Sequence, residues 1–244
     1  MDKSIAAYDD HIRVAAYDGD MDLMHPNRRR MVEMIVDVLA ATDNPPTSLL
    51  DLGTGTGFLL HRLLDRFPSV RTVAIDGAPA MLNLARARLG DLARRVDFRV
   101  GDFRALAGLC AGIVAVDAVV SSFALHHLEP ASKEALARAS FSMLRPGGWF
   151  LSADIILAED EYLEDLTQRL RVRGIVHRAA GQDERFRDEA GTRAFLMQME
   201  ERESDQPQPL AQDLTTLERV GFAHVGVFWR ETREAVMGGM KPAA

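Results

Sequence analysis

The chain has 244 residues, of which 47% are apolar and 27% charged, the balance of an ordinary soluble protein with one large domain rather than a disordered or fibrous chain. Thirty-six acids against 29 Lys and Arg give a formal net charge of −7, which argues against nucleic-acid binding through phosphates, and a single cysteine, Cys110, excludes a disulfide framework or a multi-cysteine metal centre. No apolar run approaches the roughly 18–20 residues that span a bilayer, and Met1 to Ile5 lacks the basic-then-apolar pattern of a secretory signal. A cytoplasmic protein without membrane or nucleic-acid partners is therefore expected.

In chain order, residues 1–46 predict two helices, Ser4–Tyr17 and Pro26–Ala41, joined by a polar stretch rich in aspartate and methionine. Ser48 to Leu52 is a short apolar run between Asn44-Pro45-Pro46 and a glycine cluster, the pattern of a buried strand. Phe58 to Phe67 carries leucines at helical spacing and stops at Pro68. A second strand, Val70 to Asp76, precedes a helix from Pro79 to Leu89, and Val96 to Val100 alternates as a third strand. Ile113 to Val120 is nearly continuous apolar sequence, as in a central strand covered on both faces. A helix over Ser132–Leu144 ends at the turn Arg145-Pro146-Gly147-Gly148, before a fifth strand from Trp149 to Leu157.

Strands alternating with helices imply a doubly wound α/β sheet, mostly parallel. Residues 158–205 instead read as helices with 13 acids and 8 bases, followed by a polar loop containing Pro207 and Pro209. A helix over Leu210–Val220 and two strand-like pieces, Ala223–Trp229 and Glu234–Met237, close the pattern as an antiparallel hairpin. The expected organisation is a helical cap at 1–46, a core of 47–157 with 210–244, and a helical lid inserted at 158–209 above the strand C-termini, where ligands of such sheets bind.

The most informative segment is Asp51-Leu52-Gly53-Thr54-Gly55-Thr56-Gly57. Glycines between a strand and a helix let the backbone pass close to a ligand, and the helix beyond presents free N–H groups. Asp76 ends the next strand, 19 residues past Gly57, a spacing that sets its carboxylate beside the loop to accept ribose hydroxyls. A dinucleotide fingerprint needs a third small residue, but Phe58 or Leu60 stands there, depending on which glycine starts the count.

This G-x-G-x-G pattern, with an acid two residues ahead, resembles motif I of the class I S-adenosylmethionine-dependent methyltransferases. The resemblance continues through Asp76-Gly77-Ala78-Pro79-Ala80-Met81-Leu82, Gly101-Asp102-Phe103, the segment from Asp117 to Leu128, Leu144 to Phe150, and Leu217 to Phe222. It implies a seven-stranded Rossmann-like sheet with S-adenosylmethionine as cofactor. The implied binding residues are Asp51, Gly53, Thr54, Gly55, Asp76, Gly77, Asp102, Phe103 and Ser121; Tyr17 and Tyr8 either close over the cofactor from the N-terminal helix or serve ordinary amphipathic packing. Tyr8, Tyr17, His25-Pro26, His126-His127, Ala153-Asp154 and the 228–239 region further resemble a subgroup related to carboxy-S-adenosylmethionine synthases. That subgroup holds the extra carboxylate with an arginine, and Arg193 is the candidate.

Methyl transfer mainly aligns acceptor, methyl and sulfur, and a general base helps where the acceptor is a hydroxyl or carbon acid. His126 and His127, after the fourth strand, are the candidate bases, with loop bracing as the alternative. Neither an H-E-x-x-H pair nor a clustered carboxylate motif marks a metal site, so none is expected. Arg171, Arg173, His177, Arg178, Arg185, Arg187 and Arg193 could clamp an anionic acceptor or form a solvated ion-paired face. Arg28-Arg29-Arg30 reads as solvated surface and Cys110 as a packed thiol. The acidic lid and the missing Asn-Pro-Pro-Tyr-type motif after strand four favour a small-molecule acceptor, methylated on oxygen or carbon, and the assembly is left open, a homodimer among the options. The rival readings are a carboxy-S-adenosylmethionine synthase-like enzyme, a nicotinamide-dependent oxidoreductase, which the missing Tyr-x-x-x-Lys pair opposes, and a non-catalytic module that binds S-adenosylmethionine.

Overall fold

The structure, a computed structural model, describes residues 3–8, 11–110, 113 and 115–243. Its sheet has seven strands: β1 (Ser48–Leu52), β2 (Arg71–Asp76), β3 (Val96–Val100), β4 (Val116–Ser122), β5 (Leu144–Ile155), β6 (Ala223–Glu231) and β7 (Glu234–Met240). Their order is β3-β2-β1-β4-β5-β7-β6. The first five pair in parallel, while β7 runs antiparallel to both β5 and β6. This is the doubly wound, mostly parallel sheet with a C-terminal hairpin that the sequence predicts.

Alternating side chains of the central strands feed two cores, as the two-residue strand period requires. Leu49, Ala118 and Val120 face helices α3 (Arg28–Ala40), α4 (Phe58–Arg66) and α5 (Pro79–Leu89). Leu50, Leu52 and Val119 face α6 (Leu106–Leu109), α7 (Pro130–Met143) and α10 (Leu210–Val220). A third, smaller cluster forms where Met24 of α2 (His11–Met24) meets α8 (Glu161–Ala179) and α9 (Glu189–Glu203) through Val172, Ile175, Phe186 and Leu196. The segment between β5 and α10 leaves and returns at one point, where Leu157 N–H donates to the Gln208 carbonyl at 2.9 Å.

The observed elements depart from expectation in four places. The N-terminal region forms three described helices rather than two, α1 (Lys3–Ala7), α2 and α3, and the polar 18–24 stretch is helical. Its aspartates are not solvated: Asp18 is held by Arg28 and Arg88, and Asp20 by Arg13 and Arg185. Arg28 is correspondingly buried, correcting the expectation of a solvated surface, while Arg29 and Arg30 are exposed. The β4 strand begins at Val116 and runs on to Ser122; position 114 of the expected strand lies outside the described residues. The Arg145–Gly148 turn lies within β5 as an irregularity: the β4–β5 register shifts between Val116 and Ala118, and Gly147 donates to the Lys241 carbonyl. Cys110 is a buried free thiol, as expected. Among the described residues, no helix is long and apolar enough to cross a membrane.

Candidate active site

The strand order reverses between β1 and β4, so the crevice of the sheet opens at their C-terminal ends. The glycine loop after β1 fills its lower edge. Gly53 has φ +69°, and a Cβ there would sit 2.3 Å from Ala124 Cβ, so the loop after β4 packs directly on it. Gly57 opens α4 at φ +76°, where a Cβ would press on Ala85 of α5 at 3.0 Å. The N–H groups of Gly53 and Thr54 both donate to the Ile75 carbonyl, at 2.9 and 3.1 Å.

Asp76 ties this loop to the next crossover. Its Oδ2 accepts from Gly55 N at 2.7 Å and its Oδ1 from Ala78 N at 2.8 Å. Burial pushes its carboxyl upward against the pull of those two donors. Asp51, at 1% exposure, is pushed by burial up to about 7, the Thr54 hydroxyl opposing and the Asp76 charge adding to the rise. Its Oδ2 has no hydrogen-bond partner.

A cavity of about 570 Å³, counting its open mouth, lies above the loop. Of the residues expected from the sequence, Tyr17, Gly53, Gly55, Asp76, Gly77, Asp102, Phe103 and His127 line it, as does Tyr8. Asp51, Thr54, Ser121 and His126 do not. Ser121 is fully buried, and its hydroxyl donates to the Leu52 carbonyl at 2.8 Å, joining β4 to β1. Thr54 Oγ1 donates to the Asp51 carbonyl at 3.4 Å. Asp102 accepts from both the backbone and the guanidinium of Arg104, each at 2.9 Å.

The N-terminal helices form the roof. Tyr8 and Tyr17 meet edge to face at 5.9 Å, and Arg13 lies over both rings. The Tyr8 hydroxyl donates to Glu203 of α9 at 2.7 Å, and Glu203 also accepts from Arg13 at 2.9 Å. Thr56 of the glycine loop donates to Asp18 at 3.0 Å, which joins α2 to the loop.

The two histidines occupy different environments. His126 Nδ1 lies 2.5 Å from Asp154 Oδ1, while Asp154 Oδ2 accepts from the N–H groups of Leu125 and His126. Burial lowers the His126 pKa, but the charges of Asp154 and Asp205 outweigh it and the net direction is upward. His127 moves downward, through burial and then the neighbouring His126 charge. Of the two, His127 borders the cavity, with Nε2 3.4 Å from the Tyr8 hydroxyl.

Of the two readings of the 158–209 basic residues, the ion-paired face is the one observed, and none of them lines this cavity. Arg171 pairs with Glu200, Arg173 with Glu189, Arg185 with Asp20 and Asp183, and Arg187 with Glu184. Arg178 donates to the Leu23 carbonyl and His177 is exposed. Arg193, the candidate for an extra carboxylate, is half exposed and stands 3.7 Å from Asp165. Sequence reasoning assigned no role to Asp18, Glu203 or Asp205. Asp154 entered only through the Ala153-Asp154 pair of the subgroup resemblance, and as an acid near the end of an otherwise apolar strand it carried a second signal.

Comparison with known proteins agrees with this geometry. A family model described as a methyltransferase domain matches residues 49–148. An uncharacterized methyltransferase of Geobacillus kaustophilus is 30% identical over 71% of this chain and 70% of its own length. The malonyl-[acyl-carrier protein] O-methyltransferase of Acetivibrio thermocellus is 39% identical, over 26% of this chain and 23% of its own length. A carboxy-S-adenosyl-L-methionine synthase of Nautilia profundicola is 21% identical over 62% of this chain and 63% of the relative. An O-methyltransferase family protein of Burkholderia thailandensis superimposes with a TM-score of 0.62 at 19% identity, covering 89% of this chain and 59% of that one. The chain spans only 23–29% of the length of the first four curated relatives it matches. The chain belongs to the class I S-adenosylmethionine-dependent methyltransferases.

Proposed function

We propose that this protein moves the methyl group of S-adenosylmethionine to a small-molecule acceptor, on oxygen or carbon, by in-line displacement. The observation that carries the reading is the cavity in which Gly53, Gly55 and Asp76 meet Asp102 and Phe103 on one side and Tyr8, Tyr17 and His127 on the other. The residues present fit the cofactor. The Asp76 carboxylate keeps lone pairs beyond its two backbone bonds for ribose hydroxyls. Ile5, Met81 and Phe103 offer apolar contact for a purine ring. The cofactor would supply a sulfonium-activated methyl group.

The chain's own task is then positioning and exclusion of water. Tyr8 and Tyr17 cover the cavity from above, and the 158–209 segment buttresses Tyr8 and Arg13 through Glu203. His127 is the candidate to contact the acceptor. His126, locked by Asp154, would act through the placement of its neighbour. Phe58 at the place of a third small residue and the missing Tyr-x-x-x-Lys pair speak against the nicotinamide reading.

Calorimetry with S-adenosylmethionine, together with mass spectrometry of small molecules carried by the purified protein, tests the proposal. Binding of the cofactor or its homocysteine product supports it, and a carboxylated derivative would select the synthase-like alternative. Binding without turnover across oxygen and carbon acceptors would favour a non-catalytic module. Selective retention of a nicotinamide nucleotide would overturn it.

A further inference from the structure

The turn after α9 folds back onto the segment after β4, where Gln206 N–H donates to the His126 carbonyl at 2.6 Å. This brings Asp205 Oδ1 to 2.9 Å from His127 Nδ1 and 3.7 Å from His126 Nε2. One donor atom from each of the three side chains lies within 4.8 Å of the others, and all three side chains are at least nine-tenths buried. Among the described residues no other group of histidine, cysteine and carboxylate side chains converges in this way.

A hydrogen bond between His127 and Asp205 would be the simple account of their approach. Neither His127 Nδ1 nor Asp205 Oδ1 has a hydrogen-bond partner, although both are buried. Their 2.9 Å separation is that of an ion pair, and it leaves both atoms free of any other hydrogen bond and able to ligate a common centre. Donors about 2.0–2.1 Å from a tetrahedral ion stand about 3.3 Å apart, and the separations of 2.9 and 3.7 Å bracket that value.

The outer shell has the same character. His126 gives its Nδ1 side to Asp154 at 2.5 Å, and Asp154 is itself held by the N–H groups of Leu125, His126 and Ile155. A carboxylate on the far nitrogen is the arrangement that orients metal-bound imidazoles. Glu203 is already engaged by Arg13 and Tyr8, which leaves Asp205 as the carboxylate for the cluster.

We propose that His126 Nε2, His127 Nδ1 and Asp205 Oδ1 form a binding site for one divalent transition-metal ion, zinc or iron(II), at the edge of the cofactor cavity. Two imidazoles and one carboxylate suit these ions rather than magnesium or calcium. Three protein donors leave a coordination position open, and His127 borders the cavity. The ion would there take an oxygen of the acceptor and hold it as a Lewis acid. Metal binding itself stands apart from the methyl-transfer reading; only this last role rests on it.

The test titrates tag-free, chelator-stripped full-length protein with Co²⁺ alone, following its visible absorption. Displacement by Zn²⁺ and by anaerobic Fe²⁺ is then measured by elemental analysis. One equivalent of Co²⁺ is expected, with affinity lost in His127→Ala and in the near-isosteric Asp205→Asn. Asp154→Asn should weaken it by about 10–100-fold. S-adenosylmethionine calorimetry on each variant reports the fold and separates the two readings: Asp76→Ala should lose cofactor affinity and keep Co²⁺. The proposal is overturned if the wild type takes up no stoichiometric Co²⁺, or if Asp205→Asn binds it as tightly as the wild type. Either result would leave the cluster as a chain of polar contacts bracing the cavity wall.

Discussion

Asp76 Oδ2 accepts the Gly55 N–H at 2.7 Å, so the acid that ends β2 and the loop that follows β1 are joined directly. The same carboxylate starts α5 through Ala78 N–H. The candidate ribose acceptor is therefore positioned by backbone and holds the glycine loop in return.

Asp76→Ala removes both bonds and any further acceptance of hydroxyls. Hydrogen bonds to a charged group contribute about 1.5–3 kcal/mol, so S-adenosylmethionine affinity should fall by about 10–100-fold in calorimetry. An unchanged affinity would sink the ribose assignment.

The two loop glycines should differ in cost. Gly53→Ala adds left-handed backbone strain to a clash with Ala124 at 2.3 Å, and should destabilise the protein by about 2–4 kcal/mol. At Gly55, φ is +55° but nothing lies nearer than 3.9 Å, so alanine should cost about 1 kcal/mol. Urea midpoints of the two variants check the order, and equal losses would contradict the packing of Ala124 on the loop.

Asp51 makes stability depend on pH. Its carboxyl sits at about 7 in the fold against 3.8 as the ordinary value, so the folded state holds the proton more tightly. Its stabilising contribution is complete below about 4, declines as pH rises, and is gone above about 7. The difference corresponds to at most about 4 kcal/mol. Asp51→Asn cannot ionise, so its melting temperature should gain on the wild type from pH 5 to 8. Parallel curves would show that Asp51 does not resist ionisation.

Asp18 should couple the roof to the loop. It accepts from Thr56 and pairs with Arg28 and Arg88, reaching α4's entry, α3 and α5 from α2. Asp18→Ala leaves the buried Arg28 guanidinium without this partner; the partly exposed acid keeps the loss to about 1–2 kcal/mol. Hydrogen exchange should quicken across residues 13–24 more than in the sheet. A uniform change would mean that α2 is held by packing alone.

Arg193→Ala checks the carboxylated-cofactor reading at its weakest point. The side chain is 46% exposed and does not line the cavity, so stability and cofactor affinity should stay within about 0.5 kcal/mol of the wild type. Loss of binding of a carboxylated cofactor in this variant would restore the assignment.

The sheet and the glycine-loop side of the cavity were legible because their signals are local. The runs at Ser48–Leu52, Arg71–Asp76 and Val96–Val100 are short, apolar or alternating, and punctuated by Gly or Pro, and the spacing from Gly57 to Asp76 is set by one crossover. Helices Pro79–Leu89 and Leu210–Val220 likewise begin and end on local stops. The 18–24 stretch misled because its aspartates look solvated until distant arginines are brought to them.

The sequence by itself determined the class, the parallel order of alternating elements and the glycine–acid pairing, since each depends on neighbours within about thirty residues. Only the tertiary structure decided which histidine borders the cavity, which acids meet it and what covers it. Asp154 and Asp205 reach His126 and His127 across 28 and 78 or more residues of chain, and Glu203 reaches Tyr8 across 195. No periodicity records such contacts. They exist because the returning segment is packed as a whole against α1 and α2, and burial in that packing selects the partners.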